Sequence, residues 1–214
     1  MRSSAGSGAA LALLLLAGAT LSAHRRDEYL QAARIAIEPG QVGIELDLTP
    51  GIAVAEQVLA AIDSDANGTI SATEAATYRA LVLREIAMDV DGTALSLAVV
   101  DTSFPEVAAV INGDGTLRVR LSAALPRLSA GVHRLRYRNG HRADIGAYLV
   151  NALVPASDKI TVTAQRRDTT QRDVTIEYTL QPDTSTRLLG GLAVSVTGAM
   201  IWLLVSLWRR GRHP

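Results

Sequence analysis

The chain has 214 residues with 21 basic and 21 acidic side chains, and this balance gives no electrostatic reason to expect a nucleic-acid partner. It contains no cysteine, which excludes disulfides, thiolate catalysis and cysteine-ligated zinc or iron–sulfur centres. The mean hydropathy of +0.19 comes largely from two apolar ends, so the middle has an ordinary water-soluble composition sized for one domain, and a polytopic carrier is excluded.

In chain order, Arg2, an apolar stretch over 9–19 and the small-residue exit Leu21-Ser22-Ala23 read as a secretory signal peptide over 1–23. Ala33, Ile35 and Ile37 then share one face, the turn Glu38-Pro39-Gly40-Gln41 follows, and Val42, Ile44, Leu46 and Leu48 share the next, which predicts a β-hairpin. Thr49-Pro50 offers an N-cap and a first-turn proline for a helix bearing Val54, Val58, Leu59 and Ile62. A second helix starts near Ser71 and carries Tyr78, Leu81, Val82 and Ile86 on one side.

Beyond it the period returns to two, with strands expected near 87–90, 94–101, 106–111, 116–122, 132–138, 142–150, 159–166 and 173–180. Hairpin turns are expected at Asp91-Gly92, in the 112–115 stretch and at Asn139-Gly140. Residues 24–187 therefore read as a mainly β domain, an immunoglobulin-like antiparallel sandwich with a helix–loop–helix inserted at 50–87. Residues 181–187 read as a linker. The uncharged apolar run 188–208 is long enough for one transmembrane helix, with Trp208 as an interfacial anchor. Arg209, Arg210 and Arg212 place the tail 209–214 in the cytoplasm and residues 24–187 outside it, in the periplasm or beyond.

One stretch carries sharp chemistry. Residues 63–74 match the twelve-residue EF-hand calcium loop at its diagnostic positions. Calcium is a hard cation that prefers oxygen; Asp63, Asp65 and Asn67 supply it from side chains, Thr69 from its backbone carbonyl, Ser71 directly or through water, and Glu74 with both carboxylate oxygens. Gly68 permits the sharp turn, and Ile70 is expected to point into the core. The plainer readings are a run of polar turns, a Ser71-x-x-Glu74 capping box, or a calcium loop without an entering helix. A second loop is absent, because twelve positions counted from Asn112 or Asp114 end on Ala123 or Leu125. A lone hand with three carboxylates predicts a dissociation constant of about 10⁻⁵ to 10⁻³ M and a structural ion.

Other constellations are weaker. Cleavage after Ala23 would expose His24, whose amine and imidazole could together hold copper or nickel. There is no Gly-x-Ser-x-Gly and no Cys/His pairing, so the reading is not an enzyme. Residues 24–117 carry 5 basic and 15 acidic side chains against 12 and 6 over 118–187. In the basic half, Arg134, Arg136 and Arg138 share a strand face, as do Arg118 and Arg120 one strand earlier. Such a crowd needs either an anionic partner or pairing from the acidic half.

The segment His24-Arg25-Arg26-Asp27-Glu28-Tyr29-Leu30-Gln31-Ala32, continuing through Leu46-Asp47-Leu48-Thr49-Pro50-Gly51 into the calcium loop, resembles a family of exported bacterial proteins labelled EF-hand domain-containing. More loosely it is similar to the extracytoplasmic N-terminal region of nickel and cobalt permeases of the hydrogenase/urease type. The leader, the apolar run 188–208 and the 63–74 loop together point to a calcium-binding, single-pass membrane protein. Its exported domain is expected to serve as a binding or assembly module with a protein partner in the envelope. The alternative is an accessory metallochaperone beside a nickel, cobalt or copper uptake system, using His24 and nearby carboxylates.

Overall fold

The computed structural model describes residues 27–182. The expected leader, His24, the apolar run 188–208 and the tail lie outside the described residues, and among those described no helix is long and apolar enough to cross a membrane.

Strict alternation builds the first hairpin. In β1 (Tyr29–Glu38) every second residue from Tyr29 to Ile37 is buried, and in β2 (Gln41–Pro50) Val42, Ile44, Leu46 and Leu48 are. Pairing Ile37 with Val42 and Ile35 with Ile44 puts both apolar sets on one face. The two-residue turn needs Gly40 at φ +89°, a conformation disfavoured for side chains with a Cβ.

After β2 the chain forms α1 (Ile52–Ile62) and α2 (Ala72–Arg84), then β3 (Ile86–Val90), β4 (Thr93–Ala94), β5 (Ala98–Ser103), α3 (Val107–Ile111), β6 (Leu117–Ala124), β7 (Gly131–Asn139), β8 (Gly146–Ala152), β9 (Ile160–Arg167) and β10 (Asp173–Leu180). Two five-stranded sheets result, ordered β5-β6-β2-β1-β8 and β4-β3-β7-β10-β9. One apolar core draws on both, with Ile35, Leu46 and Leu121 from the first sheet and Met88, Leu135 and Ile176 from the second; Val58, Ile62 and Tyr78 join it from the helices. The protein is thus mainly β, in the form of a β-sandwich.

Helix α2 ends at Arg84, so Ile86 opens β3 instead of continuing the helix face. The 106–111 segment is a helix, not a strand: Val110 is buried against Ala55 and Leu59 of α1, and a run this short and apolar carries no diagnostic period. The expected strand 94–101 is broken, because the chain leaves one sheet after β4 and joins the other at β5, with Leu95 and Leu97 packed on the core between them. Pro50 ends β2 rather than starting a helix. Gly51 is the N-cap of α1, and Thr49 Oγ1 bonds Thr116 Oγ1 at 2.8 Å instead of capping. Strand β8 begins only at Gly146, after a turn in which Arg142 has φ +48°, and it lies parallel to β1. Of the three expected hairpin turns only Asp91-Gly92 joins paired strands. The 112–115 stretch leads from α3 into β6, and Asn139-Gly140 leads to the other sheet.

Candidate metal centre

Helix α1 buries Val54, Val58, Leu59 and Ile62, as its periodicity requires, and stops at Asp63, whose backbone N–H still bonds the Leu59 carbonyl at 2.8 Å. An entering helix is therefore present. The chain then turns through Ala66 at φ +55° and Gly68 at φ +80°. An added Cβ on Gly68 would meet nothing within 4 Å, so it is the backbone angle, not space, that calls for glycine there. Ser71 caps α2 and Glu74 sits on its first turn, with the capping box complete.

This folding brings Asp63, Asp65 and Glu74 together, with one carboxylate oxygen from each within 4.8 Å of the others. Asp63 and Glu74 are largely buried while Asp65 faces solvent. Three carboxylates this close repel one another unless a cation or a set of N–H donors neutralises them, so the triad can hold one metal ion. Asp63 already accepts the N–H groups of Asn67 at 3.1 Å and Gly68 at 2.9 Å. Glu74 Oε2 accepts the Ser71 N–H at 2.9 Å and its hydroxyl at 2.8 Å; Oε1 accepts the Ser64 N–H at 2.7 Å and its hydroxyl at 3.1 Å. The Ser71 N–H, then its hydroxyl and those of Ser64, hold the Glu74 carboxyl down at about 2.

The other expected ligand residues, Asn67, Thr69 and Ser71, are exposed. Ser71 is bonded to Glu74, while the Asn67 amide donates to Asp65 Oδ2 at 2.8 Å and accepts the Thr69 N–H at 2.8 Å. Ile70 is half-buried and packs against the core. Ser64, to which the sequence pattern assigns no role, proves to be a main loop closure onto Glu74; a small hydroxyl residue after the first aspartate is the only trace it leaves in the sequence. The donor set is entirely oxygen, which suits a hard cation rather than a soft one. A cation in this cradle would draw on the same Glu74 oxygens that accept from Ser64 and Ser71, so ion binding and internal hydrogen bonding compete there.

The centre is tied to the sandwich one helical turn further on. Tyr78, four residues after Glu74, bonds the Tyr29 hydroxyl at 2.9 Å and His141 Nε2 at 3.1 Å. The His141 carbonyl in turn accepts Gln31 Nε2 and the Tyr148 hydroxyl, each at 2.6 Å, and Asn139 bridges Gln31 and the His141 N–H. Burial first, and Arg142 second, push His141 down to about 4, so the ring is neutral at pH 7. His133 contrasts with it: both ring nitrogens face acceptors, the Asp91 carboxylate at 2.7 Å and the Ser129 carbonyl at 2.8 Å. Burial lowers its pKa, but these two partners outweigh burial and raise it overall.

The arginine stripes fall on opposite sheets, β6 in one and β7 in the other, so they form no single basic face. Most are paired. Asp47 lies between Arg34 at 2.8 Å and Arg118 at 2.9 Å, Glu177 lies 3.4 Å from Arg134 and Asp173 lies 3.7 Å from Arg138.

No protein-family model matches the chain, and no curated protein matches it.

Proposed function

We propose that this is a calcium-binding, single-pass membrane protein whose exported domain, an immunoglobulin-like sandwich with an EF-hand insertion, is a binding or assembly module. The observation that carries the reading is the convergence of Asp63, Asp65 and Glu74, at the first, third and twelfth positions of one loop, between an entering and a leaving helix. Asn67, the Thr69 carbonyl and Ser71 complete the proposed ligand set, and calcium supplies structural cross-linking of α1 to α2 rather than chemistry. The uncharged run 188–208 and the arginines after it support the anchor and its orientation. The resemblance to exported EF-hand proteins supports an envelope setting.

Calorimetric titration of the full chain in detergent tests the site. Calcium is expected to bind one per chain at about 10⁻⁵ to 10⁻³ M, and Glu74→Gln is expected to abolish the heat. Equal binding by the variant would show that the 63–74 loop is not the calcium site.

A further inference from the structure

The two ends of the sandwich are finished differently. The end that carries Pro50 and Ile86 leads directly into α1 and out of α2. At the other end, β1 turns into β2 at Pro39-Gly40 and β10 runs out at Leu180, and no described helix begins or ends there. Three loops and the departing chain meet at that end. Leu180 pairs with Gly131 on one side and Ile160 on the other, and the Gln181 N–H bonds the Lys159 carbonyl at 2.8 Å. The Leu125 N–H bonds the Gly40 carbonyl at 2.9 Å, and the Ala156 N–H reaches the Glu38 carboxylate at 3.4 Å.

This end is apolar where folding does not require it. In the β8–β9 loop Val154 is 94 % exposed and Leu153 42 %. With Pro155 they form a continuous apolar tip, flanked by an open hollow of about 580 Å³ that Ile160 and Val162 also line. A single exposed valine is ordinary, but a contiguous apolar tip beside an open apolar hollow marks a contact surface. Next to it a second hollow, of about 370 Å³, is lined by Leu125, Leu128, Leu180 and Tyr178, whose buried hydroxyl has no hydrogen-bond partner. Arg127 stands exposed on its rim without an ion pair among the described residues.

We infer that this end of the domain rests on the lipid bilayer, with Leu153 and Val154 entering the acyl boundary and Arg127 at the level of the headgroups. The inference rests on the proposed anchor at 188–208. Six residue steps separate Pro182 from Leu188, and a chain of that length spans no more than about 20 Å even when fully extended. The anchor therefore holds the apolar tip at the membrane surface and leaves α1, α2 and the metal loop facing away from it.

Because the chain has no cysteine, one introduced cysteine is a unique label site. Val154→Cys and, as a distal control on the exposed side of α2, Ala80→Cys are each coupled to an environment-sensitive dye. The full chain is reconstituted in vesicles containing lipids brominated on their acyl chains. The Val154 label is expected to be quenched about threefold more strongly than the Ala80 label, since apolar groups at an interface lie about 5–10 Å into the headgroup and acyl boundary. A chain that resists carbonate extraction but quenches equally at both positions would overturn the inference and spare the anchor. A chain stripped from vesicles by carbonate would overturn both.

Discussion

Glu74 and the two described buried histidines show how single residues set pH behaviour. His141 has its folded pKa depressed from 6.5 to about 4, so its contribution is fully present above about pH 6.5 and is lost as pH falls through that window. A shift of this size corresponds to about 3 kcal/mol at most, and His141→Gln is expected to flatten the stability profile between pH 4 and 6.5. His133 has the opposite sign: its pKa is raised, so the stability from its Asp91 contact is present below about pH 6.5 and is lost as pH rises through the folded value. Glu74, depressed to about 2, holds its contribution above about pH 4.5 and loses it as acid protonates the carboxylate. Urea unfolding midpoints measured from pH 3 to 9, on the wild type, His141→Gln, His133→Gln and Glu74→Gln, check these signs. A His141→Gln profile with the wild-type slope below pH 6.5 would refute the assignment.

At the level of elements, α2 is both the leaving helix of the loop and a strut against the sandwich. Its capping box and its Tyr78 contacts act on one rigid piece of chain, so the loop inherits its order from the core. Tyr78→Phe keeps the ring but strands the Tyr29 hydroxyl and His141 Nε2, a loss expected to cost about 1–3 kcal/mol in denaturant unfolding. A change below a few tenths of a kcal/mol would mean that the hydroxyl network carries no stability. These elements differ in how well the sequence announces them. The first hairpin and α1 are legible because alternation and 3.6-residue spacing persist over ten or more residues in each. Helix α3 is not, since Val107-Ala108-Ala109-Val110-Ile111 is apolar throughout and its fate is decided by the α1 surface it meets. The convergence of Asp63, Asp65 and Glu74 is legible because all three lie within one twelve-residue stretch whose spacing is local. The Gln31–His141 link spans 110 residues and has no local signature.

Across the whole molecule, the acidic first half and basic second half are answered by pairing within each sheet. Arg118 and Arg120 meet Asp47, Glu45 and Asp101, and Arg134 and Arg138 meet Glu177 and Asp173. Exposed pairs of this kind are worth up to about 1 kcal/mol each, enough to neutralise a strand face without implying a ligand. The sheet order explains why sequence alone misplaces these charges: β6 and β7 are consecutive in the chain but belong to different layers. The parallel β1–β8 pairing is equally non-local and invisible to periodicity. With the proposed anchor, the molecule would present its metal end outward, and protease added to intact spheroplasts is expected to digest residues 24–187. Complete protection would reverse the orientation.

Calcium binding by the folded 63–74 loop is tested by the melting temperature of the full chain with and without calcium, for wild type and Glu74→Gln. At ten times its dissociation constant, an ion bound only to the folded state adds about 1.4 kcal/mol. For a chain of this size that is an increase of about 3–6 °C in the wild type. This rise is expected in the wild type and none in the variant. A wild-type melting temperature unmoved at ten times the upper end of the expected dissociation-constant range, about 10 mM calcium, or an equal rise in Glu74→Gln, would rule out calcium binding by this loop.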